Sequence, residues 1–206
     1  EVDVFFPRPH ALAVDPTGSR FFSASLGQNS VAYAPTGTAE VDLLHLDGMN
    51  HMFVQFAVSR DGHWMVGGGQ MTGDLMVFDL SGDAPVVANS VKIGGQPWHP
   101  TFSPDGRFVW VPNQSANTVT VVDASSWSVV NVISHPALIE PHGSAISPDG
   151  RTVYISGRNV AGTYQSEENG VDRPGTVVAI DTESHDVLAV IEVGRYAAGM
   201  SAPSGH

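Results

Sequence analysis

An all-β fold built from repeated four-stranded antiparallel units is predicted by three observations on this 206-residue sequence. Four tetrapeptides recur: Asp15-Pro16-Thr17-Gly18, Ser59-Arg60-Asp61-Gly62, Ser103-Pro104-Asp105-Gly106 and Ser147-Pro148-Asp149-Gly150. Their glycines at 18, 62, 106 and 150 keep a constant step of 44 residues. Short apolar runs rich in β-branched residues flank each tetrapeptide and are too short for helices. No segment sustains helical periodicity.

Each tetrapeptide reads as a tight turn. Proline, where present, presets φ, aspartate bonds its own backbone, and glycine accepts φ > 0. The run before a turn, such as Ala11-Leu12-Ala13-Val14, gives a strand A. The run after it, such as Phe108-Val109-Trp110-Val111, gives a strand B, and residues 118–122 and 128–133 supply C and D. Four antiparallel strands recurring at this period make the blade of a β-propeller. A β-sandwich, the rival, needs no such self-similarity. The blades run roughly over residues 10–46, 51–93, 98–133 and 142–193, within one propeller domain.

The ends extend the pattern. Residues 2–6 read as a strand D with no A, B or C before it. Residues 197–201 read as a fifth strand A before a turn at 202–205, with an acidic insert near 161–173 taking up the extra spacing. The inventory of D, four whole blades and A predicts an arc of a larger ring, completed by further propeller blades or another protein subunit. The run Gly67-Gly68-Gly69-Gln70 is expected to form the B–C turn of the second blade. No Lys-Ser/Thr pair follows it, so it is no phosphate loop.

Composition narrows the functional classes. Charged residues are 15%, hydrophobic residues 42%, and there are 22 glycines and 14 prolines, which excludes a coiled coil and a disordered chain. The net charge of −12 argues against nucleic acid as a partner. No apolar run reaches the roughly 18 residues needed for membrane insertion. The chain has no cysteine, hence no disulfide framework, thiolate metal site or cysteine nucleophile.

The third unit carries a family resemblance. Ser103-Pro104-Asp105-Gly106-Arg107-Phe108-Val109-Trp110-Val111-Pro112-Asn113, followed by Asn117-Thr118-Val119-Thr120-Val121-Val122-Asp123, resembles the YVTN-type propeller repeat. The resemblance implies a propeller; it says little of activity, because one scaffold hosts many.

Nine histidines stand against nine Lys plus Arg. His10, His51, His99 and His142 lie at or near the start of a strand A, the innermost strand of a blade. His10 and His142 each stand eight residues before a turn glycine; at that position the second and third units have Val54 and Trp98. Neutral imidazoles converging on one axis suit copper or zinc. Pro141-His142-Gly143 and Trp98-His99-Pro100-Thr101-Phe102 resemble copper-binding segments of the nitrous oxide reductase and thiocyanate dehydrogenase propellers. The resemblance implies copper at His142 and His99, with His10 added by register and His51 as the weakest member.

Two functional classes follow. One is a copper-binding redox protein or oxidoreductase subunit using these four histidines. The other is a metal-free binding or structural propeller mediating protein–protein interaction, with ordinary channel-mouth histidines. A lactonase-type hydrolase is a further alternative, without a supporting carboxylate–Asn cluster at the strand starts. The expected location is periplasmic or extracellular, from the start at Glu1 without methionine and the export habit of the families resembled.

Overall fold

The computed structural model describes residues 3–166 and 172–202. Among them there are sixteen strands and no helix. The strands are β1 (Pro9–Val14), β2 (Arg20–Ser25), β3 (Ser30–Pro35), β4 (Asp42–His45), β5 (Phe53–Val58), β6 (Trp64–Gly69), β7 (Asp74–Asp79) and β8 (Val86–Lys92). After them come β9 (Thr101–Phe102), β10 (Phe108–Asn113), β11 (Thr118–Asp123), β12 (Ser128–Ser134), β13 (Pro141–Ile146), β14 (Thr152–Gly157), β15 (Gly175–Asp181) and β16 (Val187–Val193). Consecutive strands pair antiparallel into four sheets of four, each in sequence order. The chain divides into two compact units, Glu1–Pro100 and Thr101–His206, with two sheets in each.

The repeated tetrapeptide forms every A–B turn. Its glycine has φ of 73, 74, 73 and 74° at positions 18, 62, 106 and 150. In three turns the serine hydroxyl donates to the aspartate two residues on, as from Ser103 to Asp105 at 2.5 Å. The same Ser103 oxygen accepts the Phe108 amide at 2.9 Å, and Asp105 accepts the Arg107 amide at 3.0 Å. The first turn inverts the pair. Asp15 stands in the serine's place and accepts from the Thr17 hydroxyl at 3.0 Å and the Ser19 amide and hydroxyl at 2.7 Å each. Burial acts to raise the Asp15 pKa, but these hydrogen bonds and one from the Arg20 backbone outweigh it and hold it at about 2.

Each unit has its own core between its two sheets. In the first, Ala11, Phe22, Ala24 and Val31 meet Phe53, Phe56, Met65, Met76, Phe78 and Leu80. In the second, Trp110, Val119, Val121 and Ile133 meet Ile146, Val153, Ile155, Val178 and Ile180. Trp110 and Phe22 occupy the same place in their blades and are both fully buried. Outer strands β8, β12 and β16 each carry a register shift against their neighbour, at Val77/Phe78, Val121/Val122 and Ala179/Ile180. Such bulges blunt an exposed sheet edge.

Three expectations need correction. Gly67, Gly68 and Gly69 form no turn; they lie inside β6, buried. Crowding explains them: a Cβ on Gly68 would sit 2.7 Å from the Pro97 carbonyl oxygen, and one on Gly67 2.6 Å from the Phe56 ring. The two end strands do not form ladders among the described residues. Residues 3–8 bend at positive φ on Phe5 and Arg8, and residues 197–202 run without strand pairing. A strand A or D is held by its own blade's B or C, which neither segment has beside it. Residues 1–2, 167–171 of the insert and 203–206 of the expected fifth turn lie outside the described residues. The third inner strand, β9, has only two residues, and Pro100, where the other blades have Leu12, Phe56 and Ser144, withholds an amide donor directly ahead of it.

Two glycine substitutions separate the causes at work. Gly106→Ala meets nothing within 4 Å, so its cost is the left-handed φ alone, about 1 kcal/mol. Gly68→Ala must displace backbone and is expected to cost about 2–3 kcal/mol, as overpacking does. Urea unfolding should therefore rank Gly68→Ala as the more damaging; the reverse order would show the β6 glycines to be uncrowded.

Candidate functional site at the inner strand starts

A conformation repeats just ahead of the inner strands where residue identity does not. Arg8, Met52, Gln96 and Glu140 adopt φ of 54, 55, 56 and 49°. Their numbers keep the 44-residue step of the turn glycines. Left-handed backbone costs a non-glycine residue roughly 1–2 kcal/mol, so surrounding contacts hold it. After this residue the A–B ladders of β1, β5 and β13 each shift register, between Pro9/Ala11, Phe53/Phe56 and Pro141/Ser144. His10, Val54 and His142 sit within those shifts. A bulge beside a strand start re-aims the side chain it carries.

Backbone clamps fix the approach to these strands. The Asn29 side chain donates to the Leu46 and Asp47 carbonyls at 3.0 and 3.2 Å and accepts the His51 amide at 3.2 Å. Asn117, two blades on in the same place, accepts the Glu140 amide at 2.8 Å. Ser25 at the end of β2 donates to the Pro7 carbonyl. The approach to β9, at Pro97 and Trp98, passes so close to β6 that only a glycine at position 68 admits it.

The four predicted histidines differ in setting. His10 is exposed, and its Nδ1 lies 2.8 Å from the Val54 carbonyl oxygen, an acceptor only, so Nδ1 donates and Nε2 carries the lone pair. His51 is buried, stacks on Phe53 with ring centres 5.2 Å apart, and bonds the Thr72 hydroxyl through Nδ1 at 2.8 Å. His99 is half-buried beside Trp98, with ring centres 6.0 Å apart. His142 is half-buried at the bulge of β13. Within neither unit do three or more His, Asp or Glu side chains among the described residues stand together as a metal-ligand group. His10, His51 and His99, all in the first unit, therefore do not make a copper site by themselves. The left-handed residues and the asparagine clamps escaped sequence reasoning. The 44-residue step was their only signal, and Arg, Met, Gln and Glu share no side-chain chemistry.

Burial holds the His51 pKa below its ordinary 6.5; the Asp74 carboxylate opposes this and Lys92 reinforces it. A histidine kept neutral in the fold contributes stability fully above pH 6.5, and that contribution falls as the pH drops below it. Between pH 8 and 5 the native chain is expected to lose stability more steeply than His51→Phe, which keeps the ring stacking. Parallel urea midpoints for the two proteins across that range would clear His51 of any part in acid sensitivity.

With this geometry in view, the similarities are consistent in architecture and mixed in activity. No protein-family model matches the chain. The uncharacterized protein YncE of Salmonella typhimurium is 26% identical over 138 residues, covering 65% of this chain and 35% of that protein. Its Salmonella typhi counterpart is 25% identical over the same length. Among solved structures, Kuenenia stuttgartiensis hydrazine synthase aligns with a TM-score of 0.76 and 21% identity, over 94% of this chain and 51% of that one. An inactive Staphylococcus aureus virginiamycin B lyase, solved with quinupristin, aligns at 0.72 with 13% identity, over 97% and 62%. The chain thus spans about a third of the curated relatives it matches. At such identities the solved structures speak for fold alone, and with the four sheets and their turns they lead to one statement: the chain has the β-propeller fold, built from four-stranded antiparallel blades.

Proposed function

We propose that this chain is an extracytoplasmic propeller segment that works as a binding scaffold, its first blade covered by a further blade or another protein subunit. The observation that carries this reading is the exposure of apolar residues on β1. Leu12 and Val14 are 57% and 49% exposed, whereas Phe56 and Ile146, at equivalent places on β5 and β13, are 4% and 9% exposed. Those two belong to the cores between the paired sheets of their units. The β1 face thus has the composition of a blade interface without a blade against it, and apolar exposure of this kind marks association. The extracytoplasmic location rests on the habit of the propeller families that the third unit resembles.

The test is the effect of charge on that face. Sedimentation velocity of the native chain is expected to show concentration-dependent association in the micromolar range, about −8 kcal/mol. Leu12→Glu with Val14→Glu should abolish it at little cost to the fold. A chain that stays monomeric throughout, or a double variant that associates as before, would count against the reading.

One specific observation favours copper as a second reading. Metal-ligating imidazoles characteristically donate their other ring N–H to a carbonyl. His10 does so to Val54, leaving Nε2 available on an exposed ring. His142 stands at the equivalent register position, and His51 and His99 are the remaining candidates. Ligands from other blades would have to complete the set. Elemental analysis of untagged protein bearing the further blades should find about one copper per chain, lost in His10→Ala. Less than about a tenth of an equivalent would end this reading.

A further inference from the structure

A concave feature of the first unit reaches from the outer strands β4 and β8 to His51. A cavity of about 450 Å³ is lined by Leu44, Leu46, Met76, Pro85, Val86 and Val87, together with His45, Asp47 and His51. That volume falls within the range of small-molecule pockets. Leu44 and Leu46 form a wall as the chain leaves β4, Val86 and Val87 form a rim at the start of β8, and Met76 is buried at 7% exposure. His51 is the buried polar group of the lining, at 9% exposure.

The orientation of that imidazole is fixed from one side. Its Nδ1 edge faces Thr72 and Gly69: the Thr72 hydroxyl lies 2.8 Å away, and a Cβ on Gly69 would be 3.1 Å from Nδ1. Stacking on Phe53 restrains the ring plane. The polar atom His51 can offer the cavity is therefore Nε2. His45 is held in a parallel way, its Nδ1 2.9 Å from the Ser30 hydroxyl. An open, largely apolar pocket with an oriented, buried hydrogen-bonding atom at its inner side is the arrangement of a small-ligand site.

Charge decides the class of ligand. Asp47 is the acidic residue of the lining. The chain as a whole carries −12. A carboxylate or phosphate would meet repulsion from Asp47, and among the described residues no Lys or Arg lines the cavity to offset it. A cation would have to leave water for walls of Leu, Val, Pro and Met. We infer that the cavity between β4, β7 and β8 binds an uncharged apolar molecule with a single hydrogen-bonding group, which meets Nε2 of His51 while its apolar body lies against Leu44, Leu46, Met76 and Val87. The inference is independent of what covers β1, and it requires that Nε2 of His51 not be held by copper.

The test is a titration of the chain with 4-propylphenol as the uncharged probe and 4-propylbenzoate as its anionic counterpart. It is followed by the ring Cε1–H resonance of His51 and the methyl resonance of Met76. The phenol should shift both saturably, with a Kd below about 1 mM, and the benzoate should bind at least about tenfold more weakly. His51→Phe, which keeps the stacking, should weaken the phenol about tenfold by removing one hydrogen bond. Val87→Trp, at an exposed rim position, should block both resonances from responding and covers the case in which His51→Phe fails to fold. Absence of saturation, equal affinity for the benzoate, or a Met76 response unchanged in both variants would overturn the inference. So would His51 and Met76 resonances that move on dilution without any probe, since a second copy of the chain would then be the occupant.

Discussion

The hydroxyl–carboxylate pair inside each A–B turn is the contact on which the rest of the fold depends. A serine that donates to Asp and accepts the first amide of strand B fixes where that strand leaves the turn, and the glycine between them closes the reversal at positive φ. Strand B then sets the register of A on one side and C on the other. Because the side-chain period along a strand is two, a slip of one residue would turn Phe22 or Trp110 out of its core. The first turn shows that the interaction matters more than the residue order: Asp15 accepts from Thr17 and Ser19, and the turn glycine keeps the same φ as in the other three.

Much of this architecture was legible because turns use residue-specific chemistry. Gly18, Gly62, Gly106 and Gly150 are conspicuous in sequence since few residues substitute for glycine at positive φ. The β-branched runs beside them identify strands by period alone. Gly67, Gly68 and Gly69 misled for the converse reason. Glycine also serves where another backbone passes too closely for a side chain, and nothing local in the sequence distinguishes that use from a turn. The approach of Pro97 to β6 is a contact between residues nearly thirty positions apart.

The candidate sites were less legible, because backbone conformation builds them more than residue type does. His10 and His142 could be found from their spacing, and His51 and His99 from proximity. The setting of each could not: Val54 acquires its role only once the first two sheets are stacked, and Thr72 only once the second sheet has formed. The cavity beside His51 draws its walls from three stretches of chain, and each of its apolar residues in isolation reads as an ordinary strand or loop position.

The left-handed residue ahead of each inner strand has an evolutionary consequence. Its conformation recurs on Arg, Met, Gln and Glu, so the framework imposes it and the side chain does not request it. The bulge that follows carries His10 in one blade, Val54 in another and His142 in a third. Shape and chemistry are thereby uncoupled at that place. A blade can exchange an imidazole for an aliphatic group there while its neighbours keep their geometry, so a ring of duplicated units can diversify one position per blade without relearning how to fold.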